Sequence, residues 1–193
     1  LSSGAPAHDL PAGAPLFVAG SAWMQNSLYV ERLIAFARAQ GLKLTALLHD
    51  VIPTRFPFWF EEGYAPVFEH NLTLLLDGAE ALLAVSGSTR REVEAFAARV
   101  PNLMIPPIGL LREGDAIGDA GSADAVAALF AGKQFVLSVG AIHTRKNHRL
   151  LYDVWLGLVR RMGARCPHLV IVGGVAWNGR DVARALREDT RLE

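Results

Sequence analysis

FVLSVGAIHTRKNH, residues 135–148, is the stretch whose reading decides the fold. Phe135 to Val139 reads as a strand, Gly140 opens a turn that runs to Lys146, and a strong amphipathic helix is expected from Asn147 to Met162. Leu150, Leu151, Val154, Trp155, Leu158, Val159 and Met162 fall on one face of that helix, which is taken as its inner face. A helix start presents unpaired N–H groups and a partial positive charge to an anion. Arg145 and Lys146 stand immediately before it; arginine holds phosphate oxygens bidentately, and lysine acts as a point charge. Ligands of open α/β sheets bind at the carboxyl ends of the strands. The segment therefore reads as a diphosphate site built from Gly140, Arg145, Lys146 and the helix start, or else as a surface loop with two solvated cations. The second reading has to explain cations at the helix end where the dipole disfavours them.

The same rhythm extends in both directions. Downstream come a strand at Leu169–Val172, a Gly173-Gly174 turn and a helix beginning near Arg180. Upstream, residues 112–121 are polar and glycine-rich and read as a linker, followed by a short helix at Ser122–Phe130. Before the linker the expected order starts with a strand at Leu16–Gly20 and a helix at about Gln25–Ala39, with Leu28, Leu33, Phe36 and Ala37 inward. Next is a strand at Leu42–Leu48 that runs into His49 and Asp50, after which Pro53 and Pro57 keep the chain out of helix. A long helix is expected at about Glu61–Gly78 and a strand at Ala81–Val85. Ser86-Gly87-Ser88 then turns the chain into a helix whose start has Thr89 and Glu92 at capping-box spacing, and Leu103–Ile105 is a last strand closed by Pro106 and Pro107. Residues 1–14 read as an irregular lead-in.

Strands alternating with helices, and apolar throughout, predict an α/β fold with parallel sheets covered on both faces. The expected division is a Rossmann-like N-terminal domain at 1–111, a linker with a short helix at 112–133, and the opening of a second Rossmann-like domain at 134–193. A sheet of two parallel strands is a poor stand-alone fold, so the second domain is expected to be only partly present. The absence of an initiator methionine agrees with a chain cut from something longer.

Composition narrows the function. The formal net charge is zero over 193 residues, which argues against a broad footprint for nucleic acid. Cys166 is the single cysteine, so no internal disulfide forms. No signal peptide is visible, and the densest apolar run, Leu72 to Val85, is broken by Asp77 and Glu80, short of a membrane span. His143, His148 and His168 lack metal-ligand spacing with one another or with Cys166, so no metal site is expected.

FVLSVGAIHTRKNHRLL resembles the start of the C-terminal domain in the retaining glycosyltransferases of family GT4, which have the GT-B fold. Members read strand, Val-Gly, a few residues, then Arg-Lys-Asn or Arg-Lys-Gly and a helix. LLHDVIPTRFP, LLAVSGSTRREV and HLVIVGGVAWNG resemble three further family segments, in the family's order and spacing. The resemblance implies a nucleotide-sugar donor in a cleft between two lobes, with Arg145 and Lys146 on its diphosphate and His49 near its sugar. It puts Asp50, Ser86, Thr89 and Arg90 near the cleft, and Gly173, Gly174 and Trp177 in a turn of the donor-binding lobe. It implies retention of anomeric configuration, a polysaccharide or lipid-linked glycan acceptor, no cofactor or metal, and a cytoplasmic enzyme, with contact at the inner membrane face left open. Two departures are visible: Ala141 stands where some members have an Arg, and the family's Glu-Gly-Phe-Gly-Leu-Pro-like segment does not occur.

Other readings of these residues stay open. His49 reads equally as a packed or capping histidine. Ser86, Ser88 and Thr89 also read as helix caps, Thr89 first among them, and Arg90 as a surface residue; the aromatic group Phe56–Phe60 reads as packing before it reads as an acceptor groove. Trp23, Trp59, Trp155 and Trp177 read as core or rim packing. Another GT-B enzyme, an epimerase or a phosphorylase, and a non-catalytic sugar-nucleotide-binding module are the alternatives for the whole chain.

Overall fold

Between Pro15 and Leu110 four strands pair in parallel and in sequential order, which makes every connection a crossover. The structure, a computed structural model, describes residues 10–20, 26–114, 128 and 130–192. Trp23, the expected helix start at Gln25 and most of the expected linker and its helix lie outside these residues. The chain divides into two compact units, Leu1–Asp115 and Ala116–Glu193.

In the first unit the order is β1 (Pro15–Val18), α1 (Ser27–Ala39), β2 (Lys43–Leu48), α2 (Ile52–Arg55), α3 (Tyr64–Gly78), β3 (Ala81–Ala84), α4 (Gly87–Ala97) and β4 (Ile108–Leu110). The register pairs Leu16 with Leu44, Ala46 with Leu82, and Leu82 with Ile108. Parallel crossovers are right-handed, so a sheet that grows in one direction receives its helices on one side. The core follows from this. Alternate strand residues Leu16, Val18, Leu44, Ala46, Leu48, Leu82 and Ile108 gather with side chains of α1, α3 and α4. Phe17, with the opposite parity, is 48% exposed. Among the described residues the main core lies on one face of the sheet, and on the other Leu47 is buried while Phe17 is not.

Several local expectations shift for identifiable reasons. The buried stripe of α1 is Val30, Ile34 and Ala37, at i, i+4 and i+7, which turns Leu28 and Phe36 outward. Pro53 sits in the first turn of α2, where a missing N–H costs nothing, so Ile52–Arg55 is helical after all. Residues 103–105 form no strand. The last strand begins beyond Pro106 and Pro107, and Leu82 N–H donates to the Pro107 carbonyl at 3.0 Å, because proline lacks a donor but keeps its acceptor. The start of α4 is capped by Ser86, whose Oγ accepts from Thr89 N–H at 3.1 Å, and not by Thr89.

The second unit holds β5 (Phe135–Val139), α5 (His148–Met162), β6 (His168–Val172) and α6 (Arg180–Glu188). Its two strands are parallel, with Phe135 opposite His168 and Val139 opposite Val172. The buried stripe of α5 is His148, Tyr152 and Trp155, so the expected inner face is corrected by about one position in the turn, and Leu150 and Val154 point outward. Tyr152 Oη donates to the Asp189 carboxylate at the end of α6, and Arg191 Nη2 donates to Tyr152 Oη at 3.0 Å. Arg191, then Tyr152, hold the Asp189 carboxyl well below the usual carboxylate range. Both sheets are parallel with helical crossovers: the fold is α/β of the Rossmann-like kind.

Candidate functional site

Each unit brings chemically capable residues to the carboxyl ends of its strands. In the first, His49 directly follows β2. Its ring Nδ1 lies 3.1 Å from Glu113 Oε1, and its Nε2 lies 3.3 Å from the carbonyl oxygen of Ala19, just past β1. Its own carbonyl accepts from Thr89 Oγ1 at 3.0 Å. Thr89 is buried, and its hydroxyl also meets Ser86 Oγ at 3.0 Å. One histidine is thus held by groups that follow β1, β3 and β4. That convergence is what a parallel sheet provides, since every strand ends at the same edge.

Of the four residues expected near His49, two touch it or its support. Thr89 grips its backbone and Ser86 fixes Thr89. Asp50 instead stabilises the local turn, its Oδ1 accepting from Ile52 N–H at 3.0 Å where α2 starts. Arg90 pairs with Glu94 at 3.1 Å along the exposed side of α4. The aromatic group after α2 packs on itself: Phe56 stacks on Trp59 with centroids 4.3 Å apart, while Phe58 remains 75% exposed.

In the second unit the turn after β5 is locked to the turn after β6. Gly140 N–H donates to the Val172 carbonyl at 2.8 Å, Ile142 N–H to Gly174 at 2.8 Å, and Ala176 N–H to Ile142 at 3.1 Å. The approach is close enough to require glycine. A Cβ on Gly173 would overlap the Gly140 carbonyl oxygen, and one on Gly179 would overlap that of Ile142. On this braced base Thr144–Lys146 forms a single 3₁₀ turn. Arg145 N–H donates to His143 Nδ1 at 3.2 Å. Asn147 then takes a left-handed conformation, φ 52°, and caps α5, its Oδ1 accepting from Leu150 N–H at 3.4 Å.

Arg145 and Lys146 are exposed, and among the described residues neither makes an ion pair. Their field is felt locally: burial, then Arg145, then Lys146 push the His143 pKa down from 6.5. Two exposed cations thus stand directly before the N-terminus of a 15-residue helix, where free N–H groups and the dipole favour negative charge. A cavity of about 800 Å³ in this unit is lined by apolar groups such as Trp155, Val159, Ile171 and Leu186 and includes neither cation. His168 and Arg187 also reach its lining, and it lies apart from the Arg145–Lys146 turn.

The chain resembles mannosyltransferases. It is 29% identical over 166 residues to the serotype-specific mannosyltransferase WbdA of Escherichia coli, an alignment covering 80% of this chain and 20% of the relative. Another WbdA sequence from the same species is 28% identical over 170 residues with the same coverage. The chain spans about a fifth of the length of the curated relatives it matches. No family model matches it.

Two residues of the sites escaped the sequence. Glu113 lies in a stretch that reads as linker, and nothing in its neighbourhood marks it as a partner of His49. Gly179 closes the segment HLVIVGGVAWNG, but the spacing gives no reason for a residue without a side chain there. Among the described residues no group of three or more His, Cys, Asp or Glu side chains could hold a metal ion, and no helix is long and apolar enough to cross a membrane.

Proposed function

We propose that this chain belongs to a retaining glycosyltransferase of the GT4 type, with the GT-B fold, that transfers a hexosyl group from a nucleotide-sugar to a polysaccharide or lipid-linked acceptor. The observation that carries the reading is the pair Arg145 and Lys146 on a braced turn directly before the N-terminus of α5. A leaving nucleoside diphosphate gains negative charge as the glycosidic bond of the donor breaks. Preorganised cations and helix N–H groups stabilise that charge in the transition state more than in the ground state. They supply what a divalent ion supplies elsewhere, so the reading includes transfer without an added metal. His49, held at ring and backbone, presents its imidazole to the sugar moiety.

The similarity to mannosyltransferases supports the transferase class and makes mannose the first sugar to test, with GDP and UDP both tried as the nucleotide. Replacing both Arg145 and Lys146 by Ala in the full-length enzyme removes at least two charge-assisted contacts. Each is worth about 1.5–3 kcal/mol, so kcat/KM for the donor falls by about a hundredfold or more, with a raised KM and a lowered kcat. Steady-state kinetics with GDP-mannose and UDP-sugars measure this, and unchanged kinetics refute the assignment of the turn.

A further inference from the structure

Glu113 is not part of any motif, yet it makes the shortest polar contact to the His49 ring. The pair is too exposed to matter much for stability, since surface ion pairs contribute about 0–1 kcal/mol. Its consequence is orientation. An imidazole attached only through its Cβ can flip, exchanging the positions of its two nitrogens. Here Nδ1 meets a carboxylate and Nε2 meets a carbonyl, both of which can only accept. The ring meets both at once only with a proton on each nitrogen. When it carries one proton, the carboxylate is the stronger acceptor and takes it on Nδ1, which fixes the tautomer and the orientation of the ring.

We propose that Glu113 is a positioning residue for His49, accepting from Nδ1–H and so fixing the orientation of the ring at the end of β2; this rests on the transferase reading above. The backbone of His49 is already fixed by Thr89, so the side-chain torsion is the remaining freedom, and Glu113 removes it. Because Glu113 lies just beyond β4, in the stretch that leads out of the first unit, a shift of that stretch would release the ring.

The test uses the full-length enzyme with E113A, E113Q and H49A, alone and combined. E113A is expected to lower kcat about tenfold while the donor KM changes less than about twofold. E113Q keeps an oxygen able to accept from Nδ1–H and recovers most of the loss. In the H49A background E113A has no further effect, because the residue it positions is gone. Spectra of the enzyme labelled with ¹⁵N-histidine, in which the His49 signals are those lost in H49A, show the ring nitrogens shifting in E113A. An equal kinetic loss in both backgrounds, or unmoved His49 signals, overturns the proposal. A wild-type enzyme that transfers no sugar overturns the transferase reading and with it the catalytic use of the pair, and the ring signals then separately tell whether the pair itself forms.

Discussion

A single methyl group at position 179 should damage a site it does not touch. Gly179 has φ −103°, a value any residue adopts, so space alone excludes a side chain. The Cβ of an alanine would stand 2.8 Å from the Ile142 carbonyl carbon and closer still to its oxygen, where ordinary contact begins at 3.4 Å. The Ile142 peptide must therefore retreat by more than half an ångström. That peptide is held by its N–H to Gly174 and its carbonyl to Ala176, so the retreat strains or breaks two hydrogen bonds. Overpacking of this kind, with those bonds lost, costs about 2–4 kcal/mol. In a unit of this size that lowers the unfolding midpoint by about 10 °C or more. Ile142 leads directly into His143–Lys146, so nucleoside diphosphate affinity falls as well. Gly157→Ala is the control: Gly157 lies within α5 with open space around its Cα, and alanine there should stabilise by about 1 kcal/mol. Thermal unfolding and calorimetric titration with GDP compare the two. If Gly179→Ala melts within about 2 °C of the wild type and binds GDP equally, the interlocking of the two turns is wrong.

Thr89→Val keeps the shape of a buried side chain but leaves the His49 carbonyl without its hydroxyl donor; a loss of about 1–2 kcal/mol in chemical denaturation is expected, and Thr89→Ser should retain most of it. His143 should titrate below 6.5 in a proton NMR series. Because its folded pKa is depressed, the folded state binds fewer protons than the unfolded one just below 6.5, so stability is full above that pH and declines as pH falls through the lowered value. Bound diphosphate should raise the His143 midpoint by offsetting Arg145 and Lys146, and a midpoint indifferent to the anion would place the ligand elsewhere.

The sequence was most readable where one residue type has one physical reason to be present. The apolar run Phe135–Val139, the cations before α5 and the strand that ends at His49 each appear in the structure at the expected place. Three kinds of information were harder to read. Helix faces in α1 and α5 came out rotated, because Leu28, Phe36, Leu150 and Val154 are apolar yet exposed, and composition alone does not say which side of a helix meets the sheet. The cap of α4 fell to Ser86 and not to the favoured Thr89, because Ser86, Ser88 and Thr89 are all competent caps and only backbone geometry chooses among them. The link between His49 and Glu113 was invisible because it depends on the order in which strands lie in the sheet, which brings the ends of β2 and β4 to one edge.

The left-handed Asn147 carries a narrower consequence. At that φ the tolerable residues are chiefly glycine, asparagine and aspartate. Glycine satisfies the backbone but gives up the side-chain oxygen that receives Leu150 N–H; aspartate supplies the oxygen but adds a negative charge beside a turn suited to phosphate. Asparagine alone meets all three demands, while glycine and aspartate each meet two. Position 147 therefore admits few replacements, each of which gives up the backbone fit, the cap oxygen or the neutral side chain.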